Sequence, residues 1–569
     1  MRNIAILRSV AMATSLLAAA SAHAGQARNV ILMIADGAGP TTWLAANQWQ
    51  FGALANTSPA FMAGFQGDGF AQHWMATYSG HNMPLPPGQS DTRLGFPAGT
   101  FPTILPQLWN ELPVPQYGSY DPVRANDLTM GPVRVWANSN GSLLGDRGPR
   151  VDLTPVATNP ATVQFLANQL EASGTVRAHL DAGPLAYDYL IWNSITDSAA
   201  AGSALASGIR TYNSAINVNL DGTPAPFLTQ QVKELGKKAG IVTTKPFTDA
   251  TPAAFGTQND YRDDELEISD ALIRNGLLDV VITPGHPEFG GGGVPRTPDF
   301  RTISESNLAG LRDGSLGWTL VESAAALTAI GNGEQAAPEK LFGLVPVASA
   351  LNSRNTSGQT NAFDPTMHTP GNVPDGVVPF VMPDLPTLSM AAIRSLSTDP
   401  DGFFLLVEGA SVDSAAHANN VPQLIEEMLA FNRAVDAVID WVETESSWSE
   451  TLLIVTTDHA NGLFLGPDSD VIPFQDPIAG AAGTLPTGIF WTTNHTNELV
   501  PLWSRGPGSE LFATRMEGVD PRRGAYFHLT DVHDVMSASL SAPVPEASTW
   551  LLTFAGLGVM AVFVRRSRH

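Results

Sequence analysis

Residues 29–39 read NVILMIADGAG, an apolar run that ends in an aspartate and a glycine-containing turn. Four later runs have the same form, with polar residues at the end of the apolar segment, and they cover residues 241–244, 280–282, 403–407 and 452–457. Hydrophobicity is continuous in these runs rather than alternating, which is typical of strands that are buried on both faces. We therefore predict that they form the central strands of a sheet covered by helices.

Helical patterns lie between the apolar runs. In the clearest one, residues 422–442, the apolar positions form one stripe, made of Leu424, Met428, Phe431, Val435, Val438 and Val442. The alternation of strands and helices predicts an α/β fold with a doubly wound, mainly parallel central sheet flanked by helices. Two regions interrupt the pattern, at approximately 50–155 and 285–386, and we expect both to be insertions that cap the C-terminal edge of the strands.

Composition excludes several classes of protein. The 569 residues include 30 Lys and Arg against 54 Asp and Glu, a net charge of -24, so the bulk surface repels nucleic acid. The chain has no cysteine, which excludes disulfides, thiolate zinc sites and cysteine nucleophiles. With 43% hydrophobic and 15% charged residues, the sequence is too apolar for a disordered chain.

Both ends of the chain carry targeting patterns. Arg2 and Arg8 precede an apolar stretch and a small-x-small site at residues 22–24, which predicts a signal peptide over residues 1–24. Residues 544–569 resemble a PEP-CTERM sorting tail of Gram-negative bacteria, with Val-Pro-Glu-Ala, a short hydrophobic segment over 549–564 and a final group of arginines. The resemblance implies transient membrane association, cleavage by a sorting protease and release; a short permanent transmembrane anchor is the alternative.

Candidate functional residues follow the predicted strands. Asp36, Glu408 and Asp458 each stand where an apolar run ends, and His459 comes next to Asp458. Ligands of a parallel sheet bind beyond the carboxyl ends of its strands, so these side chains are expected at the binding edge. Taken alone, an aspartate such as Asp36 before a glycine is more often a turn residue than a ligand.

Two further positions suggest metal binding. Asp413 and His417 are four residues apart, so on a helix both side chains project from one face and can share a cation. Such a pair is also a common surface contact, and a lone histidine such as His495 is commonly structural. Together, the Asp, Glu and His side chains suffice for more than one hard or borderline cation, and zinc with magnesium is the natural combination.

Ser198 follows Asp197 and opens a helix of small residues. A serine here is a good helix cap, but the free amides and the dipole of a helix N-terminus also bind phosphate and favour an alkoxide. No Gly-x-Ser-x-Gly motif occurs, so a Ser-His-Asp hydrolase has no obvious nucleophile.

The sequence resembles the alkaline phosphatase family from residue 29 to about residue 540. Six motifs occur in the family's order, and they cover residues 29–39, 196–200, 249–254 with Arg262, 407–417, 457–459 and His495. One such motif is weak evidence, whereas six in order are highly specific. The resemblance implies a catalytic domain over residues 25–543.

The resemblance also implies a role for each candidate residue. Ser198 is expected to be the nucleophile, and Arg262 is expected to bind two phosphate oxygens. The implied cofactors are two zinc ions and one magnesium ion. One zinc ion is assigned to Asp413, His417 and His495, the second to Asp36, Asp458 and His459, and magnesium to Asp36, Thr251 and Glu408, with Asp249 reaching it through water.

The function implied is hydrolysis of phosphate monoesters through a phosphoserine intermediate. The protein is expected to be exported to the periplasm, cell surface or extracellular matrix of a Gram-negative bacterium, and two copies are expected to be able to form a homodimer. Two alternatives stay open: a phosphodiesterase of the same superfamily, and a surface- or matrix-binding protein that has lost catalysis. The sorting tail and the long Gly- and Pro-rich insertion suggest the latter, whereas the intact Ser198, Arg262 and eight candidate ligands speak against it.

Overall fold

The computed structural model describes residues 26–52, 69–80, 120–126, 135–137, 143–145, 187, 190–191, 195–290, 293–351, 382–469 and 472–541. The predicted signal peptide and sorting tail lie outside these ranges, as do parts of both predicted insertions. Within the described ranges, no helix combines the length and the hydrophobicity needed to span a bilayer.

The secondary structure is numbered in chain order. The strands are β1 Asn29–Ile34, β2 Ala71–Ala76, β3 Val135–Ala137, β4 Leu143–Gly145, β5 Lys238–Thr243, β6 Val280–Thr283, β7 Thr319–Val321, β8 Leu341–Leu344, β9 Phe403–Glu408, β10 Thr451–Thr456, β11 Ala460–Asn461, β12 Phe464–Leu465, β13 Ile489–Phe490, β14 His495–Thr496, β15 Val500–Arg505, β16 Gly518–Asp520 and β17 Gly524–His528. The helices are α1 Pro40–Phe51, α2 Pro122–Ala125, α3 Ser198–Ser207, α4 Leu228–Glu234, α5 Ala250–Ala254, α6 Glu265–Arg274, α7 Glu305–Arg312, α8 Ala324–Gly331, α9 Leu385–Leu396, α10 Ser411–His417, α11 Val421–Glu445 and α12 Thr530–Ser541.

The central sheet has eleven described strands, in the order β16-β17-β2-β15-β10-β1-β9-β5-β6-β8-β7. All neighbours from β10 to β7 are parallel, whereas β15 is antiparallel to β10 and to β2. The predicted mainly parallel sheet is confirmed, and each of the five apolar runs forms one of its strands. Ile34 of β1 is in register with Glu408 of β9 and with Thr456 of β10, so these three strands end at the same level.

The packing of strand β1 on both of its faces explains why its sequence is continuously apolar. Val30, Leu32 and Ile34 pack into a core formed with helices α3, α4, α6 and α12. Ile31 and Met33 point to the opposite face and pack into a second core with α1, α8, α9 and α11. Because side chains alternate across a strand, a strand covered by helices on both sides needs apolar residues at every position.

Helix α11 covers the second face along the predicted stripe. All six stripe residues are fully buried. The Asn420 side chain caps the helix by accepting a hydrogen bond from the Gln423 amide, and Pro422 lies in the first turn, where its missing N–H costs nothing. At the centre of the stripe, the Phe431 ring packs edge-on against Trp43 of α1, with 5.9 Å between ring centroids.

The regions predicted as caps differ in part from that expectation. The first contributes β2, which pairs with β15 and β17, and the second contributes β8 and β7, which continue the parallel sheet beyond β6. These segments therefore belong to the sheet rather than to a cap over its edge. β7 is only three residues long and partly exposed, and β2 carries polar and exposed residues at its start, so neither stands out as a buried apolar run. β8 is apolar and buried at all four positions, and the prediction of a cap overlooked this signal.

Replacing Phe431 by alanine should remove the centre of the α11 contact. We expect Phe431→Ala to lower the free energy of unfolding by about 3–5 kcal/mol, because an aromatic side chain leaves a cavity that the sheet cannot close. Phe51→Ala, at a ring that is 45% exposed, should change it by roughly 0.5 kcal/mol or less. Denaturant unfolding followed by circular dichroism measures both, and equal losses in the two variants would contradict the packing described.

Candidate active site

Four of the predicted site residues meet where β1, β9 and β10 end. Asp36 lies two residues beyond β1, Glu408 is the last residue of β9, and Asp458 and His459 follow β10. All four are buried, with at most 1% of their surface exposed. The common level of the three strands brings these side chains, which are far apart in the sequence, to a single edge of the sheet.

Asp36, Asp458 and His459 form a group that we call the inner cluster. One ligand atom from each residue can be chosen so that all lie within 4.8 Å of one another. His459 Nε2 lies 3.1 Å from Asp458 Oδ2 and 3.5 Å from Asp36 Oδ1. The second oxygen of Asp458 accepts hydrogen bonds from the amides of Gly37 and His459, which fixes the carboxylate with Oδ2 facing the cluster.

Asp413, His417 and His495 form the second group, the outer cluster, which meets the same distance limit. Asp413 and His417 lie one turn apart on α10, as the spacing predicts, and His495 comes from β14. Asp413 Oδ1 lies 3.4 Å from His417 Nε2 and 3.3 Å from His495 Nε2. The two Nε2 atoms are 3.0 Å apart. The spacing suits three ligands of one cation.

The orientation of the two outer imidazoles is set by the backbone. His417 Nδ1 donates to the Thr493 carbonyl at 2.6 Å, and His495 Nδ1 donates to the Thr196 carbonyl at 2.8 Å. A carbonyl oxygen can only accept, so each Nδ1 carries a proton, and in the neutral rings the Nε2 lone pairs face Asp413. This is the arrangement in which proteins present histidine to a metal.

Ser198 lies beside the inner cluster, at the N-terminus of α3. Its Oγ is 3.1 Å from His459 Nε2, and its side chain is almost fully buried. The residue before it, Asp197, caps the helix by accepting from the Ala200 amide. The His459 ring also stacks on His495, with 3.6 Å between centroids, so the serine and both clusters are in contact through this pair of rings.

Arg262 is held between two carboxylates. Its Nη2 donates to Asp249 Oδ1 at 2.8 Å, and its Nη1 donates to Asp197 Oδ2 at 3.3 Å. Burial disfavours the guanidinium charge, but Asp249 and Asp197 outweigh burial and raise the pKa of Arg262. Since Asp197 caps the helix of Ser198, the same carboxylate fixes the arginine relative to the serine.

The carboxylates of the site are buried close to one another, and their pKa values reflect this. Burial, followed by the charge of Asp458, raises the pKa of Asp36 well above its usual range. Burial and the charge of Asp249 raise the pKa of Glu408 to about 8. Burial and the charge of Asp413 raise the pKa of Asp458 to about 6. The protein alone therefore does not hold all these groups in their charged form at neutral pH.

Several buried atoms of the predicted ligands have no hydrogen-bond partner within the described part of the chain. They are Asp36 Oδ1, Thr251 Oγ1, Glu408 Oε1, Asp458 Oδ2 and His459 Nδ1. Leaving a buried polar atom unpaired is costly, and the cost is larger for a carboxylate. Bound cations would satisfy the carboxylate and hydroxyl oxygens, so the residues present fit the metals that the sequence predicts.

The structure brings most of the predicted residues into direct contact. Six of them form the two clusters, while Ser198 contacts the inner cluster and Asp249 contacts Arg262. Glu408 is tied to β5 by a hydrogen bond from Thr243, and its charge acts on Asp36. Thr251 lies in α5, two residues after Asp249, with its hydroxyl buried.

Other side chains of the site were missed by the sequence reasoning. Asn461 donates to Asp413 at 2.7 Å, Thr243 donates to Glu408 at 2.5 Å, and Asp197 binds Arg262. Lys245 lies two residues beyond β5, close to Asp413. Lys245 could have been found by the rule that identified Asp36, because it also follows a buried strand at the binding edge.

Comparisons with known proteins show which sequences this chain resembles. Residues 179–492 match the family model for alkaline phosphatase. Alkaline phosphatase 3 of Bacillus subtilis is 31% identical over 51% of this chain and 55% of its own length. For alkaline phosphatase 4 of the same organism the identity is 28%, over 57% of this chain and 60% of the relative. The chain thus spans less than two thirds of the length of these two relatives.

A solved structure shares the fold. The cold-active alkaline phosphatase of the psychrophile Shewanella sp. aligns with a TM-score of 0.51 and 18% identity, covering 90% of this chain and 99% of that one. This degree of identity supports the fold alone. Because the family model covers more than half of the sequence and includes every candidate site residue except Asp36 and His495, the protein belongs to the alkaline phosphatase family.

Proposed function

We propose that this protein is a metal-dependent phosphomonoesterase that releases phosphate through a phosphoserine intermediate. The observation that carries the proposal is the position of Ser198. Its hydroxyl contacts the inner cluster at the N-terminus of a helix, and the cap of that helix also holds Arg262. A nucleophile, an anion-binding helix end and a fixed guanidinium are the groups that phosphoryl transfer requires.

We further propose two zinc ions and one magnesium ion as cofactors. The inner and outer clusters offer imidazole together with carboxylate, which suits zinc, whereas Asp36, Thr251 and Glu408 offer only oxygen, which suits magnesium, with Asp249 reaching it through water. When bound, such ions lower the pKa of a hydroxyl or a water and stabilise the charge on the attacking and leaving oxygens.

Arg262 would position the phosphoryl group. Each terminal nitrogen of its guanidinium has a second N–H beyond the one given to Asp249 or Asp197, so two donors remain for two phosphate oxygens. The two carboxylates hold the guanidinium in place before substrate arrives. Less side-chain entropy is then lost when phosphate binds.

Ser198 would carry out the transfer. Its Oγ attacks phosphorus and loses its proton, the bond from phosphorus to the leaving oxygen breaks, and the alcohol departs after taking up a proton. Water then attacks the phosphoserine from the side that the alcohol has left, which releases phosphate and restores the serine. The free amides at the start of α3 are placed to stabilise the phosphoryl oxygens during both steps.

His459 is not suited to act as the general base of a serine triad. Burial and the neighbouring His495 lower its pKa well below the usual range. Its Nδ1 has no hydrogen-bond partner among the described residues, whereas a triad histidine donates from that atom to a carboxylate. The contact between Ser198 and His459 is therefore better explained by a shared cation than by proton transfer to the ring.

Export completes the proposal. The targeting patterns in residues 1–24 and 544–569 support delivery to the periplasm, cell surface or extracellular matrix, with a sorting protease acting on the tail. Dimerisation is proposed from family resemblance alone.

Substrate comparison tests the proposed activity. With zinc and magnesium at alkaline pH, the purified protein should hydrolyse 4-nitrophenyl phosphate at least about 100-fold faster than the matching diester or sulfate, since Arg262 and the metals are suited to a dianion. A chelator should abolish the activity and added metals should restore it. Preference for the diester would indicate a phosphodiesterase. No activity in protein shown to contain its metals would favour the surface-binding alternative.

The role of Ser198 is tested by its replacement. Ser198→Ala should lower kcat by roughly 1,000-fold or more, while phosphate still binds within a few-fold of wild type because Arg262 and the clusters remain. Ser207→Ala, at the other end of the same helix, should leave kcat within roughly threefold. Steady-state kinetics and calorimetry with inorganic phosphate measure the two effects, and undiminished turnover in Ser198→Ala would exclude it as nucleophile.

Metal-free protein should lose stability as the pH rises. The pKa of Glu408 is about 8 in the folded chain against an ordinary value of 4.5, so its contribution is fully present below 4.5 and is lost as the pH rises through 8. Thermal unfolding at pH 5 to 9 should show a falling Tm without metals and a smaller fall in Glu408→Gln. Zinc and magnesium should reverse the trend, and a Tm independent of pH without metals would contradict the burial of these carboxylates.

A further inference from the structure

Lys245 places a positive charge between Asp249, which binds Arg262, and Asp413 of the outer cluster. Its Nζ lies 3.5 Å from Asp249 Oδ2 and 3.7 Å from Asp413 Oδ2. The side chain is 20% exposed, so its ammonium is shielded from most of the solvent. Asp249 also binds Arg262, and Asp413 belongs to the outer cluster. One ammonium therefore connects the arginine side of the site to the outer cluster.

The contact completes a chain of alternating charges. It starts at Asp197, the cap of the Ser198 helix, and continues through Arg262, Asp249 and Lys245 to Asp413. The two oxygens of Asp249 face different cations, Oδ1 facing Arg262 and Oδ2 facing Lys245. Removing Lys245 would leave Oδ2 of Asp249 without its cation, so the carboxylate could rotate. Arg262 would then be held less firmly, because it binds Oδ1 of the same carboxylate.

The charge also acts on the predicted metal ligands. Lys245 Nζ lies 3.7 Å from Asp413, so the ammonium attracts the carboxylate of a predicted metal ligand. Among the described residues of the site, six carboxylates face only two permanent cations, Lys245 and Arg262. A positive charge in such a site attracts a phosphate anion, but it repels a metal cation bound to the same carboxylates.

We propose that Lys245 is a positioning residue for phosphate, which holds Asp249 against Arg262 and strengthens anion binding at the expense of metal affinity. The inference rests on the proposed phosphatase function and extends it to a residue outside the predicted set. The proposal predicts that removing the charge weakens phosphate binding without weakening metal binding. If the ion pairs of Lys245 were merely structural, their loss would lower the affinities for phosphate and for metal together, because both the Arg262 side of the site and the outer cluster would become disordered.

Three variants separate these possibilities. Lys245→Met removes the charge and keeps a side chain of similar length, whereas Lys245→Arg keeps the charge. The control is Lys238→Met at the start of β5, the strand that precedes Lys245, where the exposed ammonium bonds to Thr398. Lys245→Gln provides the same comparison if Lys245→Met does not fold. Thermal unfolding of each variant establishes that it is folded.

The measurements use the full protein loaded with zinc and magnesium. Calorimetry with inorganic phosphate should show affinity reduced roughly tenfold in Lys245→Met, as expected for a lost charge-assisted contact, largely restored in Lys245→Arg and unchanged in Lys238→Met. Competition with a chelator, followed by elemental analysis, should show zinc affinity in Lys245→Met equal to or above that of wild type. A loss of phosphate affinity without a loss of zinc affinity would support the proposal.

Two results would overturn it. Phosphate affinity in Lys245→Met equal to that of wild type would show that the charge does not serve anion binding. A parallel loss of zinc and phosphate affinity would show a structural ion pair instead. Failure of the metal-loaded wild-type protein itself to bind phosphate would overturn the proposed function, and this inference with it, so the wild-type titration distinguishes the two failures.

Discussion

Mutual repulsion among buried carboxylates is the constraint on which the rest of this site depends. Asp36, Glu408 and Asp458 occupy the ends of three neighbouring strands with at most 1% of their surface exposed. At an effective dielectric constant of about 20, two like charges 4 Å apart repel by about 4 kcal/mol. Burial, reinforced by neighbouring carboxylates, raises the pKa of each of the three carboxyls. Divalent cations are the counter-charge that such a site lacks, and their attraction for an anionic ester would follow from the same arrangement.

The fold holds these carboxylates in place against their repulsion. Strand β1 is covered by helices on both faces, so the residue at its end cannot move away from its neighbours without disturbing two cores. The turn after β1 adds a close approach to the outer cluster. Gly37 has a φ of +76°, and a Cβ at this position would lie 2.8 Å from the Cα of Asp413. Only glycine therefore lets the loop of the inner cluster pack directly against the helix of the outer one.

The sequence allowed the site to be predicted where one residue carries a local signal. Asp36 ends an apolar run, and Asp413 and His417 have helical spacing, so their positions follow from local pattern. Lys245 and Asp197 carry weaker signals, because their roles depend on contacts with residues 168 and 65 positions away. Strand β7 was missed for a related reason: a partly exposed segment of three residues gains its place in the sheet from pairing with β8, not from its own composition.

The two clusters and the nucleophile act as one unit because the backbone connects them. His495 of the outer cluster donates to the carbonyl of Thr196, two residues before Ser198, and its ring stacks on His459 of the inner cluster. A change at His495 would therefore alter the entry to the serine helix and both sets of ligands together. Effects of substitutions within such a unit are not additive. The loss caused by one ligand substitution then measures the integrity of the whole assembly, not the share of catalysis that belongs to that residue.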